Sequence, residues 1–388
     1  MQINNWPYYS EEDIRSAGEI LKSSKVNYWT GNEGINFESE FKQYIGTDYA
    51  LATSNGTVSI SLAYSAINLQ EGDEIITTPR GYIAAASIAL EFGAKVIFAE
   101  ISKNSGLITP ETIEPLITKK TKVIVVVHVG GWPARMPEII QLANKYKLKV
   151  IEDCAQAHGA QINQKKLGSF GDISIWSFCQ DKIISTAGEG GMVTTNKKDY
   201  WKYMWSKRDH GKSKQLYKEQ QDNVGFKWLH ANTGSNYRMT EIQSAIGRNQ
   251  LKKLDLWIKI RSMNAKAFTK SLSNIELVRI PEIELEAKHA WYKFYIYLRR
   301  EFLGNNWTRE RIIVDIQKRG YPAFTGACPE IYLEKVFKKN NSYRNIHLPI
   351  ARELGESSLM FLIHPTITKE QLDSYIQVVK ETLIKASK

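Results

Sequence analysis

The chain has 388 residues, 24% of them charged, a formal net charge of +11 and three cysteines. That length is enough for a large core and more than one domain. No apolar run approaches the roughly 20 residues of a membrane span, and residues 1–13 lack the basic start and apolar middle of a signal peptide, so a membrane role is excluded and a cytoplasmic location expected. Cys154, Cys179 and Cys328 have neither zinc spacing nor an even count, which argues for reduced thiols and no metal. The lysines are scattered, without a basic stripe interleaved with stacking aromatics, so the charge does not indicate nucleic acid. A cleft that draws in a polyanionic small substrate, such as a nucleotide-linked sugar, is compatible with the same excess.

In chain order, Ile14 to Gln70 reads mainly as helices, with a loop around Tyr28 to Gly34 and a helix from Val58 to Ile67. Short apolar runs follow at Glu74–Thr77, Lys95–Ala99, Val123–His128, Val150–Glu152, Ile173–Phe178 and Gly191–Thr194. Helical patterns separate them, at Ala84–Phe92 and Pro137–Tyr146 among others. Strands alternating with helices predict an α/β domain with a mostly parallel sheet covered on both faces. Between Asp172 and Thr195 one pair of runs has too little chain between them for a helical crossover, so one antiparallel strand is expected there. A long helix over Met239–Arg261 leads into a smaller α+β part, with a strand at Trp291–Arg299 and helices at Arg309–Lys318 and Lys369–Lys385. The domain division is placed at residues 1–255 and 256–388.

Two groups stand just past apolar runs, Asp153 in IEDCAQAHGA and Lys182 in SFCQDKIISTAGEGG. In an open α/β sheet the crevice outside the carboxyl ends of the strands holds the ligand, so both would project into one site. One amine and one carboxylate suit pyridoxal 5'-phosphate. A lysine holds its aldehyde as a Schiff base, and an acid keeps its ring nitrogen protonated. A short acid after a strand can equally cap a helix. The turn Ser54-Asn55-Gly56-Thr57, at the start of a helix, offers free amides to a phosphate or simply caps that helix.

Several motifs occur in one order: SNGT at Ser54, GDEII at Gly72, EDCAQAHGA at Glu152, SFCQDK at Ser177, GEGGMV at Gly188 and GSNYRMTEIQSAIG at Gly234. With FESEF at Phe37 and LIHPT at Leu362 they cover nearly the whole chain, which resembles the DegT/DnrJ/EryC1/StrS sugar aminotransferases. The resemblance implies the fold-type I architecture: a large domain on a mostly parallel seven-stranded sheet, with a smaller α+β C-terminal domain. It implies pyridoxal phosphate, with Lys182 as Schiff-base lysine and proton shuttle, Asp153 on the pyridine nitrogen and Gln156 near the ring. Asn55, Gly56, Thr57 and Ser177 would hold the phosphate, and Tyr82 would stack on the ring. Arg80 and Gly81 stand where the commoner pattern has small hydroxyl residues and an aromatic. Asn236 would reach the phosphate of a neighbouring subunit, with Arg238 near that interface, making the active species a homodimer with shared sites. Trp29, His210 and Arg238 are candidate sugar or nucleotide contacts. His158 reads as either a structural or a site histidine.

The activity implied is transfer of an amino group, with glutamate as donor, to a nucleotide-linked keto-deoxysugar for bacterial surface polysaccharide such as O-antigen or capsule. A sugar dehydratase of the same fold typically has histidine in place of the lysine, and Lys182 argues against it. A regulatory protein that kept the fold has no need of a Schiff base. A nucleotide-binding dehydrogenase would need a Gly-rich fingerprint after an early strand, and GEGG is too late and too short.

Overall fold

The computed structural model describes residues 3–222, 224–284, 286–340 and 343–388. Seven strands form the central sheet: β1 Tyr49–Thr53, β2 Glu74–Thr77, β3 Lys95–Phe98, β4 Thr121–Val127, β5 Lys149–Asp153, β6 Ile173–Ser177 and β7 Gly191–Thr195. Their order is β1-β7-β6-β5-β4-β2-β3. The five from β3 across to β6 run parallel. β7 is antiparallel to both β6 and β1. The expected antiparallel member is therefore present. Two reversals restore the direction of β1, so its carboxyl end lies at the same edge of the sheet as those of β5 and β6.

A parallel sheet is apolar on both faces because its crossovers cover both. Here Ile75, Val123 and Val125 pack in one core cluster with helices Gly56–Ala66 and Ala84–Glu91. Their neighbours Ile76, Ile124 and Val126 pack in another, with helices Glu33–Ile45 and Met136–Tyr146. The period-2 alternation of a strand sorts the side chains between these two layers.

The reading of Ile14 to Gln70 as mainly helical is corrected at β1. The segment YALAT carries no strong strand preference of its own. Its state is set by register with β7, from Tyr49 opposite Thr195 to Thr53 opposite Gly191. Its outer edge is closed by side chains: the Ala52 amide donates to Glu38 (3.0 Å), and Arg208 donates to the Ala52 carbonyl (2.8 Å) and to Glu38 (2.6 Å).

The long helix is longer than predicted, Glu241–Leu272, 32 residues. Thr240 and Gln243 form a capping box at its start. Leu251, Leu254, Trp257 and Ile258 pack in the sheet's core. Ala265, Phe268 and Leu272 pack in a third cluster, around the small antiparallel sheet β8 Val278–Arg279, β9 Phe294–Leu298 and β10 Ser358–Phe361. Residue 255 falls inside this helix. Among the described residues no helix is long and apolar enough to cross a membrane.

The seam between the two parts is tightly bonded. Arg80, buried, donates to the Tyr297 hydroxyl (2.7 Å) and lies 5.0 Å from the ring of Tyr295. Glu100 accepts the amides of Ile350 and Ala351 (2.9 and 3.1 Å), capping helix Pro349–Ser357 from across the seam. Ile331, Tyr332, Phe337 and Tyr343 return from the C-terminal part into the core beside Phe98.

Candidate active site

An open cavity of about 1450 Å³ lies at the carboxyl ends of β1, β5 and β6 and extends beneath the small sheet. It brings together Lys182, Asp153, Gln156, Ser177, Tyr82 and the turn Asn55–Thr57, as expected from the strand ends.

Asp153 ends β5, nine-tenths buried. No helix follows, since residues 154–160 form turns, so Asp153 is not a helix cap. One carboxylate oxygen accepts the Ala155 amide (3.0 Å). Burial raises its pKa, opposed by that amide and by the charges of Lys182 and His128. Such a carboxyl is poised to share a proton with a cation placed against it.

Lys182 sits in the loop after β6, where its amide donates to the Cys179 carbonyl (3.0 Å) and its carbonyl accepts the indole of Trp6 (2.8 Å). Its ammonium lies 3.7 Å from Asp181 and 5.2 Å from the ring centre of Tyr292. Gln156 accepts the Gly130 amide (2.7 Å), tying the loops after β4 and β5 together. Tyr82 is 73% exposed, its ring open to the cavity. Gly81 ahead of it has φ 143°, which favours glycine, and donates to the Cys328 carbonyl (2.9 Å).

In the turn after β1, Asn55 accepts the Val58 amide (3.0 Å) and caps the helix itself. Among the described residues the amides of Gly56 and Thr57 donate to nothing. A Cβ on Gly56 would stand 2.8 Å from Cβ of Ser177, so glycine lets the turn approach that hydroxyl. Two free amides, one hydroxyl and a helix N-terminus make an anion cradle.

Trp29, His210, Asn236 and Arg238 do not line this cavity. They gather instead around Asp209, which accepts the Trp29 indole (2.8 Å) and pairs with Lys212 (2.9 Å) and Arg238. These partners outweigh burial and lower the Asp209 pKa. Asn236 forms a bridge with Asp209 and is exposed, and the His210 amide donates to Ser235 (3.0 Å). His158 is a core residue between Trp176 and Phe178 (ring centres 5.3 and 5.7 Å), its pKa lowered to about 3 by burial.

The profile of the DegT/DnrJ/EryC1/StrS aminotransferase family matches residues 7–380. The chain belongs to that family. GDP-perosamine synthase of Escherichia coli O157:H7 is 34% identical to it, covering 97% of this chain and 96% of its own. A UDP-N-acetyl-3-dehydro-α-D-glucosamine 3-aminotransferase of Acidithiobacillus ferrooxidans is 31% identical, over 96% of this chain and 94% of its own. The solved aminotransferase of Psychrobacter cryohalolentis superposes with a TM-score of 0.97 at 42% identity, covering 99% of both chains. As a member of this aminotransferase family the protein is a pyridoxal-phosphate-dependent sugar aminotransferase of fold-type I. The residues present fit that cofactor: a glycine cradle with unused amides for its phosphate, a buried carboxylate for its ring nitrogen and a lysine amine for its aldehyde.

Two features of this family member were not foreseen. Glu152, in the EDCAQ motif, accepts the amides of Gly168, Phe170 and Gly171 (2.8, 2.8 and 2.7 Å) and the Ser174 hydroxyl (3.2 Å), which anchors the loop before β6. His128 takes the Ala134 amide on Nδ1 (3.1 Å), so its Nε2–H faces Glu152 at 3.5 Å. The far wall of the cavity carries Trp6, Arg261, Tyr292, Lys293 and His364. The signals for that wall in the sequence are a lysine inside the apolar run AWYKFYIYL and the LIHPT motif, which carries His364.

Proposed function

We propose that the protein transfers an amino group from glutamate to a nucleotide-linked keto-deoxysugar, in the cytoplasm, for bacterial surface polysaccharide such as O-antigen or capsule. The convergence of Lys182, Asp153 and the Gly56 turn in one cavity carries this reading. Its relatives support the substrate class: one bears the name of a GDP-sugar synthase and another that of a UDP-sugar 3-aminotransferase. Bound in this cavity, pyridoxal phosphate supplies an electron sink for the carbon that bears the amine.

The chain's residues do the rest. Asp153 holds a proton on the ring nitrogen, and its burial excludes the water that would screen that contact. Lys182 would hold the aldehyde and, once displaced by the substrate amine, its Nζ would carry a proton from the substrate carbon to the cofactor carbon. Gly56, Thr57, Asn55 and Ser177 hold the phosphate, Tyr82 covers the ring and Gln156 borders it. Trp29, His210 and Arg238 contact sugar or nucleotide across the interface of a homodimer, whose Asn236 completes the neighbour's phosphate site. The exposure of Asn236 and Tyr82 in the single chain supports this reading.

The experiment incubates purified protein with glutamate and a panel of nucleotide keto-deoxysugars, with mass detection of products. An amino sugar formed with equivalent 2-oxoglutarate is the expected result. Absence of 2-oxoglutarate with every acceptor would exclude glutamate as donor.

A further inference from the structure

We infer that Lys293, backed by Arg261, forms a carboxylate subsite for the amino donor on the wall beside Lys182. The inference rests on the reading above that the donor is an amino dicarboxylate. Lys293 precedes β9, and its side chain, 15% exposed, lines the cavity. Its ammonium carries three donors, yet among the described residues it makes no hydrogen bond. The nearest anion is Asp181 at 4.0 Å, and the ring centre of Tyr292 is at 4.6 Å. Asp181 is divided among several partners, since it also takes the Tyr292 hydroxyl and lies 3.7 Å from Lys182. Its side chain is 56% exposed.

Arg261 adds a second unpaired cation. It is buried, donates to the carbonyls of Trp291 and Tyr292 (3.3 and 3.2 Å), and lies 4.9 Å over the Trp6 ring. Its Nε has no acceptor, and no carboxylate pairs with it among the described residues. This wall thus sets Lys293 and Arg261 against one half-exposed acid, Asp181, which Lys182 shares. Desolvated cations without partners are costly, and an arriving anion relieves that cost.

The position selects the anion. Lys182 and Lys293 flank one carboxylate, so a donor whose amine takes the place of Lys182 on the cofactor aldehyde carries its own carboxylate within reach of Lys293. The diphosphate of a nucleotide sugar is held away from the reacting carbon by the sugar ring. Burial lowers the Lys293 pKa to about 8, with Asp181 opposing and Arg261 and Lys182 adding to the fall; Tyr292 and His364 also face this wall. Carboxylate binding should therefore weaken as pH rises through 8, where the free ammonium loses its proton.

The test is calorimetric titration of the holoenzyme with glutarate, a dicarboxylate that cannot transaminate, and with GDP, UDP and dTDP. In Lys293→Met the glutarate Kd should rise on the order of 10- to 100-fold at pH 7, with nucleotide Kd values unchanged. Lys293→Arg, whose guanidinium stays charged, should keep most of the affinity and hold it at pH 9, where the wild type loses it. No glutarate binding to the wild type, equal Kd values in the wild type and Lys293→Met, or a loss confined to the nucleotides would each overturn the subsite. If Lys293→Met does not fold, an affinity in Lys293→Arg that falls with pH as in the wild type overturns it. Wild-type consumption of glutamate, measured alongside, reports separately on the donor.

Discussion

Replacing Gly56 with alanine tests the phosphate turn. The added Cβ would sit 2.8 Å from Cβ of Ser177 and 3.4 Å from its Cα, about 1 Å short of a normal carbon contact at the first. Neither atom is the end of a flexible side chain. Ser177 ends a strand paired on both sides, so the turn, rather than the serine, has to move. Alanine gains about 1 kcal/mol over glycine in helix propensity, while overpacking costs about 1–3 kcal/mol. The apoprotein should therefore lose about 0–2 kcal/mol. Cofactor affinity should suffer more. An amide donating to a charged group contributes about 1.5–3 kcal/mol, so a turn displaced by this amount should raise the Kd for pyridoxal phosphate at least tenfold. Absorbance titration of the apoprotein measures the Kd, and urea unfolding measures stability. Adding Ser177→Gly removes the closest obstruction, and the double-mutant cycle should show a favourable coupling. A Gly56→Ala protein that binds cofactor within twofold of wild type, or a cycle without coupling, would refute the reasoning.

Asp153→Asn should keep the far-UV circular dichroism of the wild type but slow the half-reaction with glutamate by orders of magnitude, because an amide cannot hold the ring-nitrogen proton by charge; a near-normal rate in stopped-flow removes Asp153 from the site. Mixing two inactive homodimers, Lys182→Ala and Asn236→Asp, should restore activity if each site draws Asn236 from the neighbour. Random exchange makes half the dimers mixed, each with one intact site of two, so recovery should approach about a quarter of wild type; mixed dimers seen by native mass spectrometry without turnover would refute sharing. Acid should destabilise the fold through His158, His289 and His364, each with its pKa lowered to about 3 by burial. The unfolded chain binds protons at these groups below its ordinary value near 6.5 while the native state does not, so stability is lost as pH falls from 6.5 towards 3. Each contributes about 1.4 kcal/mol per pH unit in that window. A urea midpoint unchanged between pH 7 and pH 5 contradicts this.

The strands of the sheet were legible because each is a short apolar run followed by a turn, and period alone separates them from the helices. β1 was not, because Ala-Leu-Ala has no preference and its strand state comes from β7, Glu38 and Arg208, distant in sequence. The near wall of the cavity was legible because Asp153 and Lys182 each follow an apolar run that reads as a strand, and the Gly56 turn opens a run that reads as a helix. The far wall was opaque for the opposite reason. Lys293, Arg261 and Trp6 are single residues in unremarkable segments, brought together by a packing of N-terminal, helical and C-terminal pieces that leaves no local pattern. Arg80, which stood out only as a departure from a motif, is a bond across the seam.

The helix Glu241–Leu272 is about 48 Å long at the usual rise. One end feeds apolar side chains into the core of the sheet, the other into the core of the small antiparallel sheet, and Arg261 on its middle portion lines the cavity. A break near residue 256 would strip a wall from each core and leave two fragments with exposed apolar stripes. Neither half is therefore expected to be soluble when expressed alone, and mild proteolysis should not release a stable piece ending within this rod. The two parts should therefore unfold as one cooperative unit, and the site at their junction draws its lining from both.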